Sequence, residues 1–203
     1  MKHYIQAFGR QIELTEEQAR ELQERFSPPA VKLAELVAGE TFFVGPHEMF
    51  VLEQFEGSAA VIRNRPLDKS VLFGKNNCYD GSDADTACNQ FADEIADIVG
   101  ADALVEHTVD LTSDDGLKDY GVIRRKASLL TAERYRKYVD ILDLHKVDRW
   151  WWLSTPCSTK RHDNESWVKC VSPTGYLNVG CYYLDYVGVR PFCILKSHIF
   201  VSK

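Results

Sequence analysis

The sequence predicts an α+β fold of short, mainly antiparallel strands with two helices. Many short runs rich in Phe, Val and Tyr are separated by turns that contain Gly or Pro, which is typical of a strand-rich protein. In the main part of the chain, two longer segments carry apolar residues at the three- and four-residue intervals of a helix. The 203 residues, with 45% hydrophobic and 27% charged side chains, have the composition of a globular chain with one main core.

The first residues predict a small strand–helix appendage. "KHYIQAF" favours a strand, and "IEL" favours its hairpin return. Thr15 and Gln18 form a capping-box pattern, which opens a helix that runs to about Phe26. Two consecutive prolines follow, so we expect a domain boundary there, with residues 1–27 as the appendage and residues 28–203 as the main domain.

The main domain begins with a predicted three-stranded meander. "ETFFVG", "EMFVLEQF" and "AAVIRN" each favour a strand, because Phe and Val suit a half-buried sheet. Ser82 then caps a helix that Gly100 ends. One face of this helix is apolar, and the other face carries acidic residues: Asp85, Asp93, Glu94 and Asp97.

The rest of the chain predicts strands and one further helix. "LVEHTVDL" favours a strand, and "ASLLT" leads into a helix over about 132–142. Four more strands follow, "RWWWLST", "SWVKCVS", "YLNVGCYY" and "VGVRPFCIL". Strand alternation places Trp150 and Trp152 on one side and Trp151 on the other, so at least one of these sides belongs to the core. We expect Arg190 to reach a nearby backbone carbonyl or carboxylate.

Three motifs carry a resemblance to a known family: "WWLSTP" at 151–156, "VSPTGYL" at 171–177 and "GVRPFCIL" at 188–195. They resemble the W-W-L-R-S-P, V-x-x-x-G and G-V-R-P-A-L motifs of a large family of uncharacterised domains from Gram-positive gut bacteria and their phages. "GETFFVGPHEMFVLE" and "KASLLTAERY" fit the same family upstream, so the resemblance covers roughly 36–196. Ser154 stands where the family usually has Arg, and Phe-Cys replaces Ala-Leu in the last motif.

The resemblance implies a C-type-lectin-like domain related to the formylglycine-generating enzymes. It also implies that one set of residues is a structural signature of the fold: Trp151, Trp152, Pro156, Gly175, Gly188, Arg190 and Pro191. In lectin-like relatives the C-terminal loops meet the ligand. The loops here are rich in Tyr, Asn, Asp and Arg, which suit adaptable binding surfaces.

The first functional hypothesis is therefore a non-catalytic binding module of phage or prophage type. We expect it to recognise a host or phage protein, or a glycan, through two C-terminal loops over about 157–166 and 176–187. The candidate ligand-binding residues are Lys160, Arg161, His162, Asn164, Tyr182, Tyr183, Asp185 and Tyr186.

The uneven charge supports a second hypothesis. Residues 145–203 carry a net charge of +4 and residues 1–144 carry −10, and twelve acidic residues but one lysine lie between residues 80 and 119. Such a flank could imitate nucleic acid and block a basic groove in a host defence or nucleic-acid enzyme, with no direct binding of nucleic acid. The candidate residues are Asp93, Glu94, Asp97 and Asp102.

The cysteines allow a third hypothesis, an oxidoreductase related to the formylglycine-generating enzymes, in which a cysteine pair near the C-terminus holds copper. None of the six cysteines forms a CxxC, and four of them lie on apolar strand-like stretches, so we expect free thiols. The chain contains no P-loop, GxGxxG, HExxH or GxSxG motif, and we expect no catalytic residue and no cofactor. A nucleophile arrangement of Cys157, His162 and Asp163 is the weaker catalytic alternative. Clustered acids near residues 80–85 and 114–119 offer oxygen ligands for calcium, but helix caps and turns explain them without a metal.

The location of the protein is also an expectation. The chain has neither a signal-peptide core nor a long apolar run, so we expect it to stay in the cytoplasm or to be assembled into a phage particle, with no membrane partner.

Overall fold

The computed structural model describes residues 3–7, 10–18, 29–69 and 71–203, and in these residues the predicted α+β class is confirmed. The strands in chain order are β1 (His3–Ala7), β2 (Arg10–Leu14), β3 (Ala30–Lys32), β4 (Thr41–Val44), β5 (His47–Phe55), β6 (Ser58–Arg63), β7 (Leu104–Val105), β8 (His107–Asp110), β9 (Val122–Arg125), β10 (Ala127–Ser128), β11 (Trp151–Pro156), β12 (Trp167–Val171), β13 (Leu177–Cys181), β14 (Phe192–Lys196) and β15 (Phe200–Ser202). The α-helices are α1 (Asp83–Val99), α2 (Ala132–Lys137) and α3 (Val139–Leu144), and α1 is the longest of these three.

The N-terminal hairpin and its capping box form as predicted. Strands β1 and β2 pair antiparallel in a sheet of their own. The Thr15 amide donates to Gln18 Oε1 at 3.0 Å, and the Gln18 amide donates to Thr15 Oγ1 at 3.2 Å. The predicted end of this helix at Phe26 and most of the Pro-Pro boundary lie outside the described residues, so the division at residue 27 stays a prediction.

The largest sheet contains eight strands in the order β10-β14-β6-β5-β4-β15-β3, with β7 also paired to β14. The predicted meander forms its centre, since β4, β5 and β6 pair antiparallel in sequence. The predicted strand "LVEHTVDL" is divided instead. Its first part is β7, whereas its second part is β8, which pairs with β9 in a separate two-stranded sheet.

The tryptophan strand belongs to a smaller sheet, ordered β11-β12-β13. Trp151 packs in a cluster with Phe50 and Tyr135, and Trp152 packs on the other face with Phe73. The predicted alternation is therefore confirmed, and both faces are core. Gly180 on β13 is needed here, because a Cβ on it would lie 2.9 Å from the ring of Trp152.

The helix predicted between Ser82 and Gly100 is confirmed as α1. Ser82 Oγ accepts a hydrogen bond from the Asp85 amide at 3.0 Å, and Gly100 ends the helix with φ at 91°. The helix predicted over about 132–142 is interrupted at Tyr138. The backbone of Tyr138, with φ at −107° and ψ at 13°, separates α2 from α3. Within the described residues, no helix combines the length and the apolar character needed to cross a membrane.

Candidate functional site

The predicted binding loop after β11 is fixed by a residue that sequence reasoning missed. The Asn77 side chain is fully buried, and its Nδ2 donates to the carbonyls of Ser158 at 3.0 Å, Asn164 at 3.2 Å and Trp167 at 3.1 Å. The hydroxyl of Tyr120 donates to Asn77 Oδ1 at 2.8 Å. No local pattern marks Asn77, because its partners lie more than 40 residues away in sequence. The loop is therefore anchored at both ends by one amide.

The basic side chains of this loop contact the Asp/Gly loop that follows β8. Arg161 forms an ion pair with Asp119, and His162 Nδ1 lies 2.9 Å from Asp115 Oδ2. Hydrogen bonds lower the pKa of Asp115 below its usual range, and the bond from Ser113 contributes more than the bond from Ser158. Arg161 and His162, two of the four predicted ligand residues in this loop, therefore already bind other side chains of the protein. Of the remaining two, Lys160 is exposed and Asn164 is half-buried.

This contact does not build a nucleophile relay. Ser158 Oγ, at 3.4 Å, and Asp115 Oδ2 both approach the same nitrogen of His162, Nδ1. A general base needs one ring nitrogen for the nucleophile and the other for the orienting acid. His162 pairs with Asp115 and not with Asp163, and burial raises the pKa of Cys157 to about 11. The arrangement of Cys157, His162 and Asp163 is therefore absent from the described structure.

The second predicted loop presents tyrosines to solvent. Tyr183 and Tyr186 are 59% and 55% exposed, Asp185 is exposed, and Tyr182 is half-buried with its ring 5.3 Å from that of Tyr183. Large aromatic side chains at this exposure are available to a partner.

Three exposed apolar side chains lie together at the end of the small sheet, and we call them the aromatic surface: Trp167, Val179 and Tyr183. Trp167 on β12 stands directly opposite Cys181 on β13, and Val179 precedes Cys181 by two residues on the same face. A hydrogen bond with the Cys181 thiol raises the pKa of Tyr183, so its hydroxyl also lies beside Cys181. Sequence reasoning included Tyr183 and missed Trp167 and Val179.

The signature residues are buried around the tryptophan strand. Trp151, Trp152 and Arg190 are each at most 2% exposed. Arg190 Nε donates to the Arg63 carbonyl at 2.9 Å, and Nη2 donates to the carbonyls of Asn64 at 2.8 Å and His145 at 3.0 Å, which confirms the expected backbone contact.

The remaining signature residues shape the backbone. Pro156 ends β11, and the Pro191 carbonyl accepts the Arg63 amide at 2.9 Å. Gly175 occupies the predicted turn with φ at 86°, where a side chain is strained. A Cβ on Gly188 would lie 2.6 Å from Pro66 Cβ, so only glycine fits there.

Much of the acidic flank is paired within the protein. Eight of its twelve acidic side chains lie next to an Arg, Lys or His: Asp80, Asp85, Glu94, Asp102, Glu106, Asp114, Asp115 and Asp119. Of the four candidates, Glu94 lies 3.3 Å from His47 and Asp102 lies 3.6 Å from Lys196, whereas Asp93 and Asp97 are exposed without an ion pair among the described residues.

The placement of Asp85 corrects the prediction that it lies on the exposed face of α1. Asp85 is 1% exposed, and its carboxylate pairs with Arg125 at 2.7 Å. Arg125 also reaches Asp80 at 2.6 Å, so a cation of the protein itself occupies the acids that offered a calcium site. Among the described residues, no group of three His, Cys, Asp or Glu side chains could hold a metal ion.

All six cysteines are free thiols. Burial raises the pKa of Cys88 and of Cys170 to about 12, and it raises that of Cys193 further. Reactive thiols have a lowered pKa and partial exposure, so these cysteines have the environment of packed side chains.

A groove beside α1 was not predicted from the sequence. It has a volume of about 560 Å³ and lies between α1 and the segment after β6. Its lining includes His47, Arg63, Leu67, Phe91 and Glu94. We call it the α1 groove. The sequence indicates this groove only through the spacing of Asp83, Ala87, Gln90 and Glu94. These polar and small residues are three or four positions apart, so they lie along one stripe of α1.

Comparisons of the chain with family models, with curated proteins and with solved structures give no match.

Proposed function

We propose that this chain is a non-catalytic binding module of phage or prophage type, which recognises a protein or a glycan through the aromatic surface and the loops beside it. The observation that carries the proposal is the exposure of three neighbouring apolar side chains: Trp167 at 45%, Val179 at 40% and Tyr183 at 59%. Clustered exposed apolar groups mark interaction sites, and Trp and Tyr supply much of the binding energy at interfaces.

The rigidity around this surface supports the proposal. Trp167 begins β12, and its carbonyl accepts two hydrogen bonds. One comes from the buried side-chain amide of Asn77, and the other comes from the backbone amide of Cys157 at 2.9 Å. A surface that is already ordered loses little conformational entropy on binding. Arg161 and His162 also contact the Asp/Gly loop through ion pairs at the surface, which add little to this order.

We also propose the finer fold assignment, a C-type-lectin-like domain. The resemblance of the three signature motifs supports it. So does the burial of Trp151, Trp152 and Arg190 where a small antiparallel sheet meets a larger one.

The other two hypotheses receive less support. Imitation of nucleic acid needs unpaired anionic groups, and six acidic side chains of the flank already pair with Arg or Lys, among them the candidate Asp102. The candidates Asp93, Glu94 and Asp97 have no such pair among the described residues. A copper or redox site needs reactive thiols, and burial raises the pKa of Cys170 and Cys193.

Paired substitutions test the aromatic surface. Trp167→Ala with Tyr183→Ala removes two anchors, while Phe55→Ala with Phe200→Ala removes two exposed aromatics elsewhere and serves as the matched control. Each lost anchor costs about 2 kcal/mol, so we expect affinity to fall about 30-fold per residue in the first variant and to stay unchanged in the control.

The ligand is sought on a glycan array and by affinity capture with quantitative mass spectrometry, and each binder is then measured against both variants. A binder that needs Trp167 and Tyr183 but tolerates the control substitutions supports the proposal. If every specific binder retains full affinity for the variant without Trp167 and Tyr183, the proposal is wrong.

A further inference from the structure

The α1 groove has the size and the apolar floor of a small-molecule site. Its volume of about 560 Å³ falls within the range that ligand pockets occupy, roughly 300–1,000 Å³. Leu67, Val71 and Leu72 supply exposed apolar surface, and Ala87 and Phe91 also line the groove. Phe91 and Ala87 are themselves buried, so the floor belongs to the main core and is fixed by it.

One wall carries a positioned cation with unused donors. Arg63 Nη1 donates to the carbonyls of Arg65 at 2.8 Å and Pro66 at 2.5 Å, which fixes the guanidinium. Nε is buried without a hydrogen-bond partner among the described residues, and Nη2 lies 3.9 Å from the carboxylate of Asp68, which is fully exposed. The Arg63 side chain is only 14% exposed, so water screens its charge less than that of a surface arginine. Lys69 adds a second positive charge to this wall and Asp68 one negative charge, so the wall keeps a net positive charge.

The opposite wall is the acidic stripe of α1. Asp83 and Glu94 line the groove with Thr86 and Gln90 between them. Glu94 Oε2 lies 3.3 Å from His47 Nε2, and burial lowers the pKa of His47 below its usual range. The imidazole is therefore neutral at neutral pH, and the negative charge of Glu94 remains available to a cation.

We propose that the α1 groove binds a small zwitterion with an apolar body, of the class of apolar or aromatic α-amino acids. The carboxylate would meet the guanidinium of Arg63, the ammonium would face Glu94, and the side chain would cover Leu67 and Leu72. Walls of opposite charge favour a ligand that carries both charges over one that carries either alone. This site is separate from the aromatic surface and does not depend on the proposed function.

Three probes that differ by one charged group test the ligand class. L-phenylalanine, 3-phenylpropionate and phenethylamine are each titrated into the whole protein and followed by calorimetry and by amide chemical shifts. We expect L-phenylalanine to bind with a Kd below about 1 mM, and each singly charged analogue to bind at least tenfold more weakly. L-leucine is titrated in the same way as a second member of the class. Equal binding of either analogue, or no binding of either amino acid, would overturn the proposal.

Substitutions on α1 locate the binding. Glu94→Gln is expected to weaken L-phenylalanine at least tenfold while 3-phenylpropionate is unaffected. Asp93→Asn, one residue away and outside the groove, changes neither affinity. Gln90→Trp fills the groove and abolishes binding, whereas Asn89→Trp, exposed on the same helix but outside the lining, leaves it intact. Equal losses from a groove variant and its control would show that the probe binds elsewhere.

Discussion

Arg190 is a buried cation whose partners are backbone carbonyls and aromatic rings instead of a carboxylate. Its guanidinium carbon lies 5.4 Å from the ring centre of Phe50 and 5.1 Å from that of Trp151. Three donated hydrogen bonds join β6, the segment after it and the end of α3. Because a planar guanidinium can donate in several directions and stack on rings at once, lysine could not reproduce this set of contacts.

At the residue scale, we predict that Arg190→Ala lowers the free energy of unfolding by about 2–4 kcal/mol, since three partly buried carbonyls lose their donor and the packing of a buried side chain is lost. Arg190→Lys should recover less than half of this loss. Arg161→Ala is the control, because its side chain is 62% exposed and its single ion pair is worth about 0–1 kcal/mol. Urea unfolding measures all three. An unchanged midpoint for Arg190→Ala would mean that the buried guanidinium has no structural role.

At the scale of elements, the loop after β11 and strand β12 are tied to the segment before α1. Asn77 makes this connection with both its side chain and its backbone, since its amide donates to the Glu165 carbonyl at 2.9 Å. The same loop is also connected to the Asp/Gly loop after β8, because Thr159 Oγ1 donates a hydrogen bond to Asp119 at 2.6 Å. These hydrogen bonds hold the loop and Trp167 in a fixed position.

We predict that Asn77→Ala lowers the free energy of unfolding by about 2–3 kcal/mol and speeds hydrogen exchange across residues 158–165, because the carbonyls of Ser158 and Asn164 lose the donor that Asn77 supplies. Asn178→Ala removes only the exposed hydrogen bond that the Val179 amide donates to Asn178 Oδ1, so it should change stability by less than about 0.5 kcal/mol. If exchange in the loop is the same in both variants, Asn77 is not what orders it.

At the scale of the whole molecule, the burial of the cysteines shows which thiols the packed core shields from solvent. Cys193 packs in the cluster below the large sheet, and Cys88 and Cys170 pack in the cluster around Trp152. All three thiols are buried, with their pKa raised by burial. Cys78 and Cys157 are half-buried and lie near the surface.

We predict that at pH 8 a disulfide reagent labels Cys88, Cys170 and Cys193 only as fast as the molecule unfolds, because the thiolate form is scarce and access is closed. Cys78 and Cys157 should be labelled first, and denaturant should release six thiols. Mass spectrometry of the labelled protein assigns each site. Rapid native labelling of Cys193, or fewer than six thiols in denaturant, would restore the redox hypothesis.

Features that depend on neighbouring residues were predictable from the sequence by itself. Ser82 and Gly100 mark the ends of α1 because caps act within one turn. Trp151 and Trp152 take opposite faces because strand side chains alternate. The α+β class follows from the same short-range periods, since these are written into every few residues of the chain.

Only the tertiary structure decided which charges are free and where cavities remain. Asp85 appeared solvated on its helix, but Arg125 from β9 covers it, and desolvation makes that pairing necessary. Trp167 and Val179 form an exposed surface because no other element covers that end of the small sheet in the described structure. The α1 groove depends on side chains from β5, β6 and α1 that no local pattern relates. Long-range packing determines such features, because burial and ion pairing depend on which segments meet and not on their spacing in the chain.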